Sequence, residues 1–316
     1  MKIIPSYLLC FLLSLIFYQN ILAQEKDIEI TFKRNKNKTV DFFYNKNLPG
    51  SYYVKLEFSN LENCYESSVE KVLQKNSGRY VRLHPIDENQ YITFSYRYSY
   101  VKGNPEAKVD SLFQYVMPYK EGKKIRVIEA SSFKEKYLSV ENSKNEKSYI
   151  AFSSSPDTIC SMRKGVVLRV KDEFDSDSTL EHSYPSTLNT VLIEHADGTY
   201  ASYKGFQKNS ISVKKGQTVY PHTKLGVLSE FKKREYILRF SVFYKNFNLS
   251  DIDKRNKLSN IKSSFVSFAP YFITENGVQQ LQNMKFYISA SSKEAVSAEM
   301  SRKERRKYKK SPELFL

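Results

Sequence analysis

Residues Asn189–Tyr203 read N-T-V-L-I-E-H-A-D-G-T-Y-A-S-Y, Val213–Gly226 read V-K-K-G-Q-T-V-Y-P-H-T-K-L-G, and Tyr236–Tyr244 read Y-I-L-R-F-S-V-F-Y. These are three β-patterned runs punctuated by turns. Asp197-Gly198 is a two-residue hairpin signal, because Gly and Asx residues reach positive φ at little cost. Lys215-Gly216-Gln217 marks a second turn. Gly226 closes a segment whose Val213, Val219 and Leu225 are spaced to reach one core.

The spacing V-x-x-G-Q-x-V-x-x-x-x-x-L-G resembles the barrel-sandwich hybrid, the flattened β unit of biotinyl and lipoyl carriers and of the lysostaphin/LytM-type zinc metallopeptidases with their duplicated hybrid motif. The flanks favour the peptidases. Asp157–Val170, D-T-I-C-S-M-R-K-G-V-V-L-R-V, resembles their strand pair ending in a Gly-Val-Val strand, and Val191–Gly198, V-L-I-E-H-A-D-G, is similar to their V-V-I-D-H-G-N-G hairpin. The resemblance runs from Tyr149 to Lys245 and is carried by several short motifs in one order. A lipoyl-type carrier needs a modifiable Lys at a hairpin tip, and no clear candidate is present.

An active member of that family implies a His-x-x-x-Asp pair and the second His of a His-x-His as zinc ligands. The first His of that motif and a His after Tyr-Ala serve the water and the oxyanion. Hydrolytic zinc chemistry requires three protein ligands and one open position. Here the Tyr-Ala-His position reads Tyr200-Ala201-Ser202, so Ser202 replaces a catalytic His. The His-x-His position reads Ile237-Leu238-Arg239, which sets an aliphatic side chain and a permanent cation where base and ligand belong. The Asp position falls on or beside Ile150, and Glu146 lies near the missing first His. His84, His182, His195 and His222 show no His-x-His or His-x-x-x-His spacing. The resemblance therefore implies a degenerate, non-catalytic domain without a cofactor. The alternative is a zinc endopeptidase cleaving peptidoglycan cross-links through ligands placed elsewhere. Glu194, His195, Tyr200 and Tyr203 are expected to line the old cleft. Arg239 is expected to fill the metal position, paired with an acid such as Glu194 or Glu235.

Met1–Ala23 carries Lys2, an apolar run Leu8–Phe17 and a small residue at its end, the pattern of a secretory signal peptide. The remainder divides into a β-sandwich of immunoglobulin-like size over 24–120, the peptidase-like domain with C-terminal strands over 121–290, and a basic tail over 291–316. In the sandwich, Asp27–Phe32, Val40–Tyr44, Tyr52–Phe58 and Tyr91–Val101 read as strands. The last alternates Ile92, Phe94, Tyr96, Tyr98 and Tyr100 with polar residues, either a core face or a platform for stacking sugars. Ser263–Phe272 and Met284–Ser289 read as a strand pair. In the tail, Ser291 with Glu294 and Ser301 with Glu304 fit capping boxes of a short helical segment. Cys64 and Cys160 permit one bridge or two buried thiols. The fold class is thus all-β: a sandwich, a barrel-sandwich hybrid and a short helical tail.

With 50 Lys+Arg against 34 Asp+Glu the chain carries a net charge of +16. Such a balance favours anionic partners, although a Lys-rich composition throughout accounts for the dispersed part. No nucleic-acid module is recognisable. The expected setting is the periplasm or outer envelope of a bacterium, with no membrane span once the signal is removed. The expected partners are peptidoglycan or an envelope hydrolase, with the basic tail against an anionic envelope surface.

Overall fold

The computed structural model describes residues 27–130, 147–175, 188–232, 234–247 and 263–315. The signal-like segment, Glu146 and His182 lie outside the described residues. The described part is all-β with short helices at its C-terminal end.

Six strands form the first unit: β1 (Ile28–Arg34), β2 (Val40–Lys46), β3 (Tyr52–Glu62), β4 (Ser68–Leu73), β5 (Ser77–Leu83) and β6 (Thr93–Lys102). They make two antiparallel three-stranded sheets, β1-β2-β5 and β4-β3-β6. Between them lies a core of Ile28, Val40, Phe42, Val54, Leu56, Leu83 and Ile92. The tyrosine stripe of β6 packs on this core. Its hydroxyls reach across to β1: Tyr96 donates to Ile30 O (3.2 Å), Tyr98 to Ile28 O (3.1 Å) and Tyr100 to Asp27 Oδ2 (3.0 Å). The rings close the sandwich and the hydroxyls satisfy an edge strand, so the stripe is core and not a sugar platform.

The second unit holds β7 (Gln114–Val116), β8 (Lys124–Glu129), β9 (Tyr149–Ser153), β10 (Thr158–Cys160), β11 (Gly165–Lys171), β12 (Asn189–Glu194) and β13 (Thr199–Phe206). It continues with β14 (Thr218–Val219), β15 (Lys224–Val227), β16 (Glu230–Lys232), β17 (Glu235–Phe247), β18 (Ser263–Ser267), β19 (Tyr271–Thr274), β20 (Gly277–Gln280) and β21 (Lys285–Ile288). Ten of these form one sheet ordered β14-β11-β12-β13-β17-β9-β8-β21, with β16 and β18 also paired to β17. Asp197-Gly198 turns the β12–β13 hairpin, with Gly198 at φ +81° and Asp197 Oδ1 accepting from Thr199 N. Val213, Val219 and Leu225 enter one core with Val167, Val191, Ile193, Leu238 and Phe240. Tyr115, Met117 and Tyr119 belong to that core as well. The segments from Ser263 and from Met284 do not form the expected strand pair: they meet at an isolated Thr274–Ser289 bridge, while β19 turns back on β20 and β21 joins β8.

The strand β17, thirteen residues long, organises this unit. Its Leu238, Phe240 and Val242 enter the core, so strand alternation sends Ile237, Arg239, Ser241 and Phe243 to the opposite face. Cys64 and Cys160 are both free and buried, one in each unit. Burial pushes the Cys160 thiol up to about 11, which leaves it inert near neutrality.

The C-terminal segment is folded back on the sheet. It forms α1 (Lys293–Ser297), α2 (Arg302–Lys310) and a 3-10 turn over Pro312–Phe315. Ser301 and Glu304 make the expected capping box, whereas α1 is capped by Ser292 rather than Ser291. Val296, Met300 and Phe315 are buried against Tyr220 and Tyr308. Glu304 accepts from Lys164 Nζ (2.8 Å) and Tyr220 Oη (2.6 Å), tying the helix to the strand pair beneath it.

Candidate functional site

A cleft of about 830 Å³ opens on the face of the large sheet that points away from the core. One wall comes from the first unit, through Leu48–Tyr52, Lys102 and Gly103. Its floor is built from alternate residues of neighbouring strands: Leu168 and Arg169 of β11, Leu192 and Glu194 of β12, Tyr200, Ser202 and Lys204 of β13, Ser241, Phe243 and Lys245 of β17.

Register places Ser202, Ile237, Arg239 and Ile150 on this face. Ser202 is paired with Ser241, Lys204 with Arg239, Arg239 with Ile150, and Ile237 with Phe152. Lys204, Arg239 and Ile150 therefore form one row across three strands, with Ser202 diagonal to Arg239. Among the described residues no three His, Cys, Asp or Glu side chains come together to hold a metal ion. The residues at this row do not fit zinc: an amide-free hydroxyl, an alkyl chain and a guanidinium supply no anionic or imidazole ligand.

Among the described residues Glu194 is the one acid in the lining, and it is occupied. Its Oε2 accepts from Ser51 N at 2.7 Å and its Oε1 from Tyr200 Oη at 3.1 Å. Burial pushes its carboxyl above the usual range, opposed by those hydrogen bonds and by the Lys46 charge. The backbone of the first unit comes this close because Gly50 has φ +97° and a Cβ there would stand 2.7 Å from Leu168 Cδ2 and 3.0 Å from Glu194 Oε2. Tyr200 stacks on Phe243, with centroids 5.6 Å apart. The expected pairing of Arg239 with Glu194 or Glu235 is not made; Arg239 has no acid within ion-pair distance among the described residues. Burial holds its guanidinium below its ordinary value.

Two other expected lining residues face the opposite way. Tyr203 is an odd number of positions from Tyr200, so the strand period turns it into the core, where its hydroxyl accepts from Met162 N at 2.9 Å. His195 is buried beside Tyr115, and its Nδ1–H donates to Lys164 O at 2.8 Å. Burial, then the Arg163 charge, holds its imidazole well below the usual range, so it stays neutral. His222 bonds Ser291 Oγ at 2.7 Å on the far side of the sheet, and His84 is exposed.

The residues that give the cleft its character were not singled out by the motifs. Lys102, Lys147, Arg169, Lys204, Lys215 and Lys245 all line it. Lys102 pairs with Asp27 at 2.9 Å, and Lys147 pairs with Glu129. Lys245 donates to Lys102 O at 2.9 Å. Arg169 reaches the floor through a β-bulge: Val167 is paired with Ile193 but Arg169 with Leu192, so Leu168 is an extra residue. That extra residue aims Arg169 into the cleft and returns Val170 to the core. A cation inside the otherwise apolar run V-V-L-R-V was the available signal in the sequence.

No known family profile matches the chain, and no curated protein does. Among solved structures it is similar to a protein assigned as a glycyl-glycine endopeptidase LytM of Ruminococcus gnavus, at 15% identity and a TM-score of 0.30, over 49% of this chain and 56% of that one. It is also similar to a protein assigned as an M23 peptidase from Pseudomonas aeruginosa, at 14% identity and a TM-score of 0.26, over 63% and 89% of the two chains. A third is Csd3 of Helicobacter pylori, at 12% identity and a TM-score of 0.26, over 97% and 92%. The chain thus spans little more than half the length of the first of these. The reading of the cleft rests on the register of its own strands.

Proposed function

We propose that this chain is an exported, non-catalytic protein of the bacterial envelope that uses a lysostaphin-type scaffold to hold peptidoglycan or to regulate a separate cell-wall hydrolase. The observation that carries this reading is the row Lys204–Arg239–Ile150 with Ser202 beside it. The positions that the sequence motifs align with ligands and bases share one face by register, with Ser202 lining the cleft, and hold residues that cannot bind zinc or activate water. The cleft itself is kept open and lined by polar and aromatic groups. Export rests on the signal-like Met1–Ala23. The basic face of α2, with Arg302, Lys303, Arg306 and Lys310 exposed, suits an anionic envelope surface.

The test is metal content of the purified protein after dialysis against trace zinc, with muropeptide release from peptidoglycan measured on the same sample. The expected result is less than a tenth of a zinc per chain, an order-of-magnitude bound, no release, and retention on insoluble peptidoglycan. Zinc near one per chain with chelator-sensitive release would overturn the reading.

A further inference from the structure

We propose that the cleft floor is a receptor for a short peptide bearing free carboxylates, held by Arg169 and Lys204 of the lining, with Arg239 flanking Lys204 on the neighbouring strand. This deepens the non-catalytic reading and rests on it. Lys204 and Arg239 are direct cross-strand partners on one face, and like charges in that position destabilise a sheet. The β11 bulge brings Arg169 to the same floor. Among the described residues none of the three has an acid within ion-pair distance, and the single acid of the lining, Glu194, is already occupied by Ser51 and Tyr200. Burial and the two neighbouring arginines lower the Lys204 ammonium from its ordinary value, as expected of cations that lack a counter-charge. Lys204 and Arg239 are half-buried, Arg169 stands exposed at the cleft, and Arg169 and Lys204 line the cavity, so an anionic ligand there relieves the repulsion among them.

The rest of the lining selects the kind of anion. The Arg169 guanidinium matches the planar fork of a carboxylate, the Lys204 ammonium adds a point charge, and Arg239 adds its field from beside Lys204. Leu168, Leu192, Phe243 and Phe265 offer apolar surface for methyl and methylene groups. Ser202 and Ser241, paired across the floor, offer hydroxyls to peptide amides. A cavity of about 830 Å³ has room for three or four residues. A bare phosphate would use the cations and leave the apolar walls in water. With arginine at the position that the motifs align with a metal ligand, the site is suited to retaining a peptide acid rather than to attacking an amide.

Isothermal titration of the purified protein with the tetrapeptide Ala-γGlu-Lys-Ala, both carboxylates free, tests this beside its bis-amide and inorganic pyrophosphate. The expected result is binding of the diacid, at least about tenfold weaker binding of the bis-amide, and about tenfold loss for each of Arg169→Gln, Lys204→Gln and Arg239→Gln. Lys303→Gln, on the exposed helix, is expected to leave binding unchanged. Thermal midpoints of the three cleft variants are expected to equal or exceed that of the parent, because each removes repulsion. Equal binding of diacid and bis-amide overturns the inference. So do variants that bind as the parent does, or that lose binding only by unfolding. Pyrophosphate binding that depends on the same residues, without diacid binding, overturns the peptide assignment. Metal analysis on the same sample separates the two readings: zinc-free protein that ignores the diacid overturns this inference alone, whereas stoichiometric zinc overturns the non-catalytic reading itself.

Discussion

Replacing Arg163 by Met should be among the most destabilising single changes in the second unit. The Arg163 side chain is 3% exposed. Its Nη1 donates to Asp197 Oδ2 (2.9 Å) and Tyr115 Oη (3.0 Å), while Nε and Nη2 clasp both oxygens of Glu299 (3.0 and 2.8 Å). The guanidinium lies 3.6 Å from the Phe113 centroid. One cation thus joins the segment before β7, the β12–β13 turn and the C-terminal segment. Removing it strands Asp197, which is 10% exposed, and Glu299, which is 18% exposed. Stranding a buried charge costs about 3–5 kcal/mol, and the lost ring contact adds about 1 kcal/mol. Met recovers part of the volume and Glu299 can turn to water, so a net loss of about 3 kcal/mol is expected. For a chain of this size that lowers the thermal midpoint by roughly 6–12 °C, measured by far-UV circular dichroism at pH 7.

The pH dependence sharpens that test. Burial tends to raise the Asp197 carboxyl, but the Arg163 charge and the Thr199 hydrogen bonds bring it below its ordinary value. A depressed carboxyl contributes stability above its unfolded pKa and loses it as pH falls through the folded one. In the variant that contribution is gone, so the difference between parent and variant should narrow as pH falls below about 4. Adding Asp197→Asn to Arg163→Met should recover at least about 1 kcal/mol. A midpoint shift under about 2 °C, or no recovery in the double variant, would refute the assignment of Arg163 as the buried junction.

The remaining predictions concern the C-terminal segment and one glycine. Burial alone would raise the Glu304 carboxyl, but hydrogen bonds from Lys164, Tyr220 and Ser301 hold it at about 2. Its contribution is therefore present above the ordinary Glu value of about 4.5 and disappears as pH falls toward 2. The difference corresponds to about 3 kcal/mol, reduced to about 2 kcal/mol by the partial exposure of the pair. Glu304→Gln should destabilise by that amount at pH 7 in urea unfolding and should flatten the loss between pH 4.5 and 2; an unchanged acid limb would contradict it. Gly205 has φ +114°, and a Cβ there would lie 2.3 Å from Ile237 O, so Gly205→Ala should cost at least about 2 kcal/mol. Urea midpoints within error of the parent would show that β13 and β17 have room to part.

The parts of the fold that were legible are those in which one local signal and one period agree. Asp197-Gly198 makes its hairpin, Val213, Val219 and Leu225 share a core, and Ser301 with Glu304 caps α2. β4 and β5 carried no comparable signal, since S-V-E-K-V-L and S-G-R-Y-V-R-L lie half in water and earn their strand state from pairing with β3 and β2. In the cleft, Tyr200 and Glu194 lie on the lining face, whereas Tyr203 cannot share a face with Tyr200 on any regular strand, a constraint already present in the numbering. The basic floor was hidden for another reason. Whether Arg169 faces water or core depends on a bulge, and a bulge is a property of two paired strands rather than of either sequence.

That bulge makes the electrostatics of the cleft a matter of chain length. With Leu168 deleted, Arg169 would inherit the phase that now brings Leu168 to the floor, and Val170 would keep its place in the core; the guanidinium would stay while the alkyl surface beside it vanished. With the bulge ironed flat and no residue lost, every side chain from Arg169 to Lys171 would change sides, carrying a guanidinium and an ammonium through the place of Val170. Insertions and deletions, more than substitutions, are thus the changes to watch between Val167 and Lys171 in any relative of this chain. A single-residue gap there alters the ligand a cleft can hold while leaving its composition almost untouched.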